Sequence, residues 1–130
     1  MLYSPHVLIA EDEDLVAVVV AEVLESEGFR VTVTHNGLEA IEADAADPAD
    51  LLLTDMRMPV MGGEALIRII RQRRPELPIV VTTGFSEYLP VEEPEHLRVL
   101  RKPYSLPALV AMIKALLVAA RDHWRSDPRF

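Results

Sequence analysis

The chain contains no cysteine, so it has neither a disulfide framework nor a thiolate metal site. Long apolar runs are missing too. The longest, Leu15 to Ala21, falls far short of the roughly 20 residues that span a bilayer. Met1 to Ser4 is too short and too polar for a secretory leader. Positive charge is scarce: the formal net charge is −8, which argues against nucleic acid, whose binders carry basic patches. No repeat, low-complexity tract or linker interrupts the chain. These absences predict a soluble, cytoplasmic protein that binds neither nucleic acid nor membrane. With 130 residues, half of them apolar, the chain suffices for one compact domain and not for two ordinary ones. Its core is expected over residues 5–121, with 122–130 as a C-terminal tail.

Short apolar runs alternate with longer amphipathic ones, the pattern of βαβ units around a parallel sheet. Strands are predicted at Val7–Ala10, Arg30–Thr34, Leu51–Thr54, Ile79–Thr82 and Val99–Leu100. Helices are predicted at Asp14–Glu27, stopped by Gly28, at Gly37–Ala46, at Gly63–Arg74, and at Leu106–Arg121 with Ser105 as N-cap. The β-branched run Val16–Val20 is read as helix because it continues through Leu24 to the glycine stop. Pro90 and Pro94 leave Phe85–Arg98 room for little more than a turn or two of helix around Glu92–Leu97. The predicted architecture is a flavodoxin-like α/β fold: five parallel strands in the order 2-1-3-4-5 and five helices, the fourth reduced.

Four of the apolar runs end in groups that can do chemistry. Val7–Ala10 leads into Glu11-Asp12, Leu51–Thr54 into Asp55, Ile79–Thr82 into Thr83, and Val99–Arg101 into Lys102. Ligands of open parallel sheets sit at the carboxyl ends of the strands, where strand order reverses. Glu11, Asp12 and Asp55 would then meet in one pocket. Two like charges at 4 Å cost roughly 4 kcal/mol at an effective dielectric near 20, so three carboxylates call for a hard, oxygen-seeking cation such as magnesium. Asp55, on the central strand, is the best placed nucleophile, since carboxylates serve as phosphoryl acceptors. Lys102 and the Thr83 hydroxyl can cover the phosphoryl oxygens. Each piece alone has an ordinary reading: an acidic helix start favoured by the macrodipole, turn residues, a surface loop. Their joint placement at four strand ends is what points to phosphoryl chemistry.

The segments Val7–Glu13, Asn36–Ala40, Leu51–Pro59, Met61–Gly63, Thr83-Gly84 and Leu100–Tyr104 resemble the receiver domain of two-component response regulators, over about residues 5–121. The resemblance implies that Asp55 accepts a phosphoryl group from a phosphohistidine on a sensor histidine kinase or a histidine phosphotransfer protein. It implies that Glu11, Asp12, Asp55 and the Arg57 backbone carbonyl hold Mg2+, that Thr83 is the switch hydroxyl and Lys102 the phosphate-pairing lysine, and that the Lys102-Pro103 bond is cis. Such a domain is a signalling phosphoacceptor rather than an enzyme with its own turnover. At this length it stands alone as a single-domain response regulator or is a piece of a larger protein such as a hybrid histidine kinase.

The chain departs from that pattern in two places. Glu11 stands where the family more often has Asp, and Val99 where it commonly has an aromatic ring, so the signal is expected to be read without an aromatic switch. The first helix should bury Val16, Val20, Val23 and Leu24 and turn Leu15, Ala17, Val18, Val19 and Ala21 outward. A charged face is the norm, so Leu15, Val18 and Val19 are the expected contact with the phosphohistidine protein. Pairing of two copies is left open. Arg57 and Phe85 should overhang the acceptor and slow hydrolysis of an acyl phosphate. His6, His35, His96 and His123 share no metal spacing and read as surface residues. Trp124 should pack on the last helix or mark a fraying tail. Two other classes compete. A pseudo-receiver would be an interaction module that never accepts phosphate. A haloacid-type phosphatase wants a second Asp two residues after the first, where this chain has Arg57.

Overall fold

Strand parity organises the core. Val7, Ile9, Leu51, Leu53 and Val80 face one side of a sheet, while Leu8, Ala10, Leu52, Ile79 and Val81 face the other. Both parities are apolar, as in a parallel sheet covered on both faces. A computed structural model describes residues 4–84 and 90–126. Its strands are β1 (His6–Ala10), β2 (Arg30–Thr34), β3 (Leu51–Asp55), β4 (Ile79–Thr83) and β5 (Leu97–Arg101). They pair in parallel in the order β2-β1-β3-β4-β5, as expected. The register sets Ala10 beside Thr54, Asp55 beside Thr82, and Thr83 beside Arg101.

Four helices stand among the described residues: α1 (Asp14–Ser26), α2 (Gly37–Ala46), α3 (Gly63–Arg73) and α4 (Leu106–Ser126). Helices α1 and α4 cover the first face through Val20, Leu24, Leu109, Ile113 and Leu116. Helices α2 and α3 cover the second through Ala40, Ile41, Leu66 and Ile70. Each fully buried Leu or Ile contributes roughly 1.5–3 kcal/mol of transfer free energy. Local signals end the helices where the sequence asks. Gly28, at φ +96°, closes α1: its N–H donates to the Glu25 carbonyl, and the Phe29 N–H donates to the Leu24 carbonyl, a Schellman stop. The Asn36 side chain accepts the Glu39 N–H at 2.9 Å and starts α2. The Ser105 hydroxyl accepts the Ala108 N–H at 3.1 Å and starts α4.

The structure corrects several expectations. No helix forms over 92–97. Glu93 and Leu97 instead bridge in antiparallel fashion around a tight turn, and the Glu92 carboxylate accepts the Val99 N–H at 2.9 Å. These contacts meet two N–H groups on the outer side of β5, and pairing with β4 runs over Leu97–Arg101, where Val99–Leu100 was expected. Residues 85–89, and with them Phe85, lie outside the described residues. Helix α4 continues past Arg121 to Ser126 and takes in Trp124. Ala17, expected outward, is 1 % exposed, because α1 buries Ala17, Val20 and Leu24; Ala21 packs partly against the core. His6, expected at the surface, is 2 % exposed. It starts β1, with its Nδ1 on the Pro48 carbonyl at 3.1 Å and its Nε2 on the Thr32 hydroxyl at 2.7 Å. No described helix is long and apolar enough to cross a membrane.

Candidate functional site

Three of the strand ladders continue one residue into the loop that follows. The Glu11 N–H donates to the Thr34 carbonyl at 3.0 Å, the Met56 N–H to the Thr82 carbonyl at 3.2 Å, and the Lys102 N–H to the Thr83 carbonyl at 2.8 Å. The sheet thereby fixes the backbone on which the chemical groups stand. The cis Lys102-Pro103 bond expected from the motif is present.

Glu11, Asp12 and Asp55 each place a carboxylate oxygen within 4.8 Å of the others. Glu11 and Asp55 are 5 % and 7 % exposed, while Asp12 faces solvent. The Lys102 Nζ donates to Asp55 Oδ2 at 3.0 Å, and Asp55 Oδ1 accepts the Met56 N–H at 2.8 Å. Glu11 Oε2 accepts the Glu13 N–H at 3.1 Å. Burial pushes the Glu11 carboxyl above its ordinary 4.5; the Glu13 N–H opposes the rise, and the negative charges of Asp55 and Asp12 add to it. For Lys102 burial works against the charge, but the hydrogen bond to Asp55, with the charges of Asp55, Glu11 and Glu13, outweighs it and holds the ammonium above 10.5.

Of the residues singled out from sequence, Glu11, Asp12, Asp55 and Lys102 come together. Thr83 is buried at the end of β4, beside Arg101 in the register. Arg57 is exposed two residues past Asp55. Three contributors were not singled out. Thr82 and Tyr104 line a small cleft with Ile9, Glu11, Val16, Leu53 and Asp55, and burial pushes the Tyr104 phenol up. Gly63 opens α3 so close to the acceptor strand that an added Cβ would stand 2.5 Å from the Asp55 carbonyl oxygen. Tyr104 directly follows the Lys102-Pro103 pair, which could have drawn attention to it; nothing local marks Gly63 as more than a turn residue.

All three acids offer hard oxygen donors, and one is exposed and open to solvent. That donor set suits a small divalent cation that keeps part of its water. The strand order and the acid-rimmed edge define the flavodoxin-like class of α/β domains. A family model of the response regulator receiver domain matches residues 7–114, and the chain belongs to that family. It is 37% identical over 118 residues to the response regulator receiver protein CpdR of Brucella abortus (strain 2308), covering 88% of this chain and 98% of that protein. It is 31% identical over 121 residues to the sensor kinase CckA of the same organism, covering 88% of this chain and 13% of the kinase. The receiver domain from the hybrid histidine kinase CckA superposes with a TM-score of 0.73 at 29% identity, covering 86% of this chain and 98% of that one.

Proposed function

We propose that the chain is a cytoplasmic phosphoacceptor of a two-component relay, with Asp55 as the acceptor. The observation that carries the reading is the Lys102 ammonium 3.0 Å from Asp55 Oδ2, beside three carboxylates gathered within 4.8 Å. An Asp55 oxygen attacks the phosphorus of a phosphohistidine; the new O–P bond forms as the N–P bond breaks, and the imidazole leaves. Lys102 and Thr83 supply positive charge and a hydroxyl to the phosphoryl oxygens, and the rigid strand ends hold the acceptor in line. Glu11, Asp12, Asp55 and the Arg57 carbonyl would hold magnesium, which offsets the negative charge of the phosphoryl group. The domain signals by changing its partners and has no turnover of its own. The net charge of −8 speaks against nucleic acid as partner.

The donor is a sensor histidine kinase or a histidine phosphotransfer protein that docks on α1. Leu15, Val18 and Val19 are exposed there, an apolar face of the kind that marks a partner site. Mass spectrometry after incubation with magnesium and acetyl phosphate tests the acceptor: one phosphoryl adduct is expected, absent in Asp55→Asn. A wild-type chain that takes no phosphoryl group would leave the pseudo-receiver reading standing. Steady release of inorganic phosphate from small esters would favour the phosphatase. The double variant Val18→Glu, Val19→Glu should label normally with acetyl phosphate and slowly from the protein donor.

A further inference from the structure

Lys114, Leu117, Val118 and Arg121 recur at the spacing that puts side chains on one face of a helix. On α4 that face sets two apolar groups between two cations. It runs beside the buried core stripe of Leu109, Ile113 and Leu116, but it is less covered. Leu117 is partly buried, and Val118 is 47 % exposed.

These four residues line a groove of about 940 Å3. Phe29 and Pro5 add apolar surface to it, and Glu27 and Asp50 add two acids. Pro5 directly precedes β1, Phe29 precedes β2 and Asp50 precedes β3. The groove therefore lies at the end of the sheet opposite to Asp55, and the length of β3 separates the two by roughly 17 Å. Concave sites of this size, apolar with a few polar groups, are where small molecules bind.

Charge decides which small molecules. Three of the charged groups in the groove are already engaged. The Lys114 Nζ donates to Glu27 Oε1 at 2.6 Å and ties α4 to the end of α1. Asp50 Oδ2 accepts the His6 N–H at 2.7 Å. Arg121 is exposed and has neither a hydrogen bond nor an ion pair with any described residue. Its planar guanidinium offers parallel N–H donors that match a carboxylate. A cationic ligand would meet acids that already have partners, and a neutral one would leave the guanidinium unused.

We propose that this groove binds a small amphiphilic anion, an apolar body of roughly ten to twenty carbons that carries one carboxylate. The body covers Phe29, Leu117 and Val118, and the carboxylate pairs with Arg121. The site stands a strand's length from Asp55, so it does not depend on the reading of Asp55 as phosphoacceptor.

The test titrates the full chain with decanoate by calorimetry, beside decanol as the neutral analogue and decyltrimethylammonium as the cation. One decanoate per chain should bind with a Kd of roughly 10–100 µM, the range for a ligand of about a dozen heavy atoms. Decanol should bind at least about fivefold more weakly, and the cation should not bind below about 1 mM. Arg121→Gln should weaken decanoate about fivefold to tenfold and leave decanol unchanged. Val118→Glu, which sets a charge on the apolar wall, should abolish binding of both. Positions 118 and 121 are exposed on α4, where substitution leaves the fold intact. Backbone amide shifts on adding decanoate should centre on Phe29 and Leu117, and Val18→Glu on α1 should bind as wild type does. Decanoate that fails to saturate the chain overturns the proposal, as do equal affinities for anion, neutral analogue and cation. Unchanged decanoate binding by Arg121→Gln removes the assigned partner and overturns it, and shifts centred on the exposed face of α1 overturn the location. Binding that appears only when residues 127–130 are removed would hand the groove to the chain's own end and overturns it too.

Discussion

Replacing Glu11 by Gln should stabilise the metal-free protein and abolish its response to magnesium. Two unit charges at 4.8 Å, the bound within which the three carboxylate oxygens gather, repel by about 3 kcal/mol at an effective dielectric near 20. Glu11 faces two such neighbours. Water screens exposed Asp12, and Lys102 offsets part of the remainder, which leaves a net gain of about 1–3 kcal/mol on removing the charge. For a domain of this size that is a rise in Tm of roughly 3–10 °C. Gln keeps an oxygen for the Glu13 N–H that Glu11 accepts at 3.1 Å, so the backbone is left undisturbed. The sign of the pH dependence follows from burial, which raises Glu11 above 4.5. A raised carboxyl contributes stability that is fully present below its unfolded value of 4.5 and lost as pH rises through its folded value. The gap between variant and wild type should therefore be small near pH 4.5 and widen as pH rises. Magnesium should reverse the order, since it binds the charged cluster of the wild type and raises its Tm by mass action. The assay is thermal unfolding of both proteins across pH, with chelator and with excess magnesium. A metal-free Glu11→Gln that melts below wild type, or one that gains as much from magnesium, would refute the reasoning.

Two further outcomes follow from packing and from the edge of the sheet. Gly63→Ala drives a Cβ to within 2.5 Å of the Asp55 carbonyl oxygen and 2.9 Å of Met56 Cα, both backbone atoms that cannot step aside. It should cost about 1–3 kcal/mol in chemical denaturation and slow acetyl phosphate labelling of Asp55; wild-type values for both would show that the α3 start does not position the acceptor. The Glu92 carboxyl is held below 4.5, first by the Val99 N–H and then by Arg98. Its contribution is present above 4.5 and lost as pH falls through its lowered value. Hydrogen-exchange protection of the Val99 amide, corrected for intrinsic rate, should hold above pH 4.5 and fall below it; protection indifferent to pH and to Glu92→Ala would dissociate the carboxylate from the edge.

Local signals predicted most of the architecture because they act over a few residues. Gly28 stops α1 through its positive φ, Ser105 caps α4 with its hydroxyl, and apolar runs such as Leu51–Leu53 need no distant partner to read as strands. The misses lie where distant chain decides. Arg98 breaks the apolar run of β5, and the strand reaches back to Leu97 because Ile79 pairs with it and Glu93 closes its outer side. His6 looks like a surface histidine until Thr32 and Pro48 arrive on its two nitrogens.

The candidate site divides along the same line. By itself the sequence determined which chemical groups end the apolar runs: Glu11, Asp12, Asp55, Thr83 and Lys102. From them it determined the chemistry on offer, since a side chain's charge and donors are its own. Only the tertiary structure decided that Lys102 meets Asp55 across 47 residues of chain at 3.0 Å, and that Glu11 is buried enough to resist ionisation. Those are properties of how far apart groups stand and how much water surrounds them, and both are set when the sheet closes and the helices cover it.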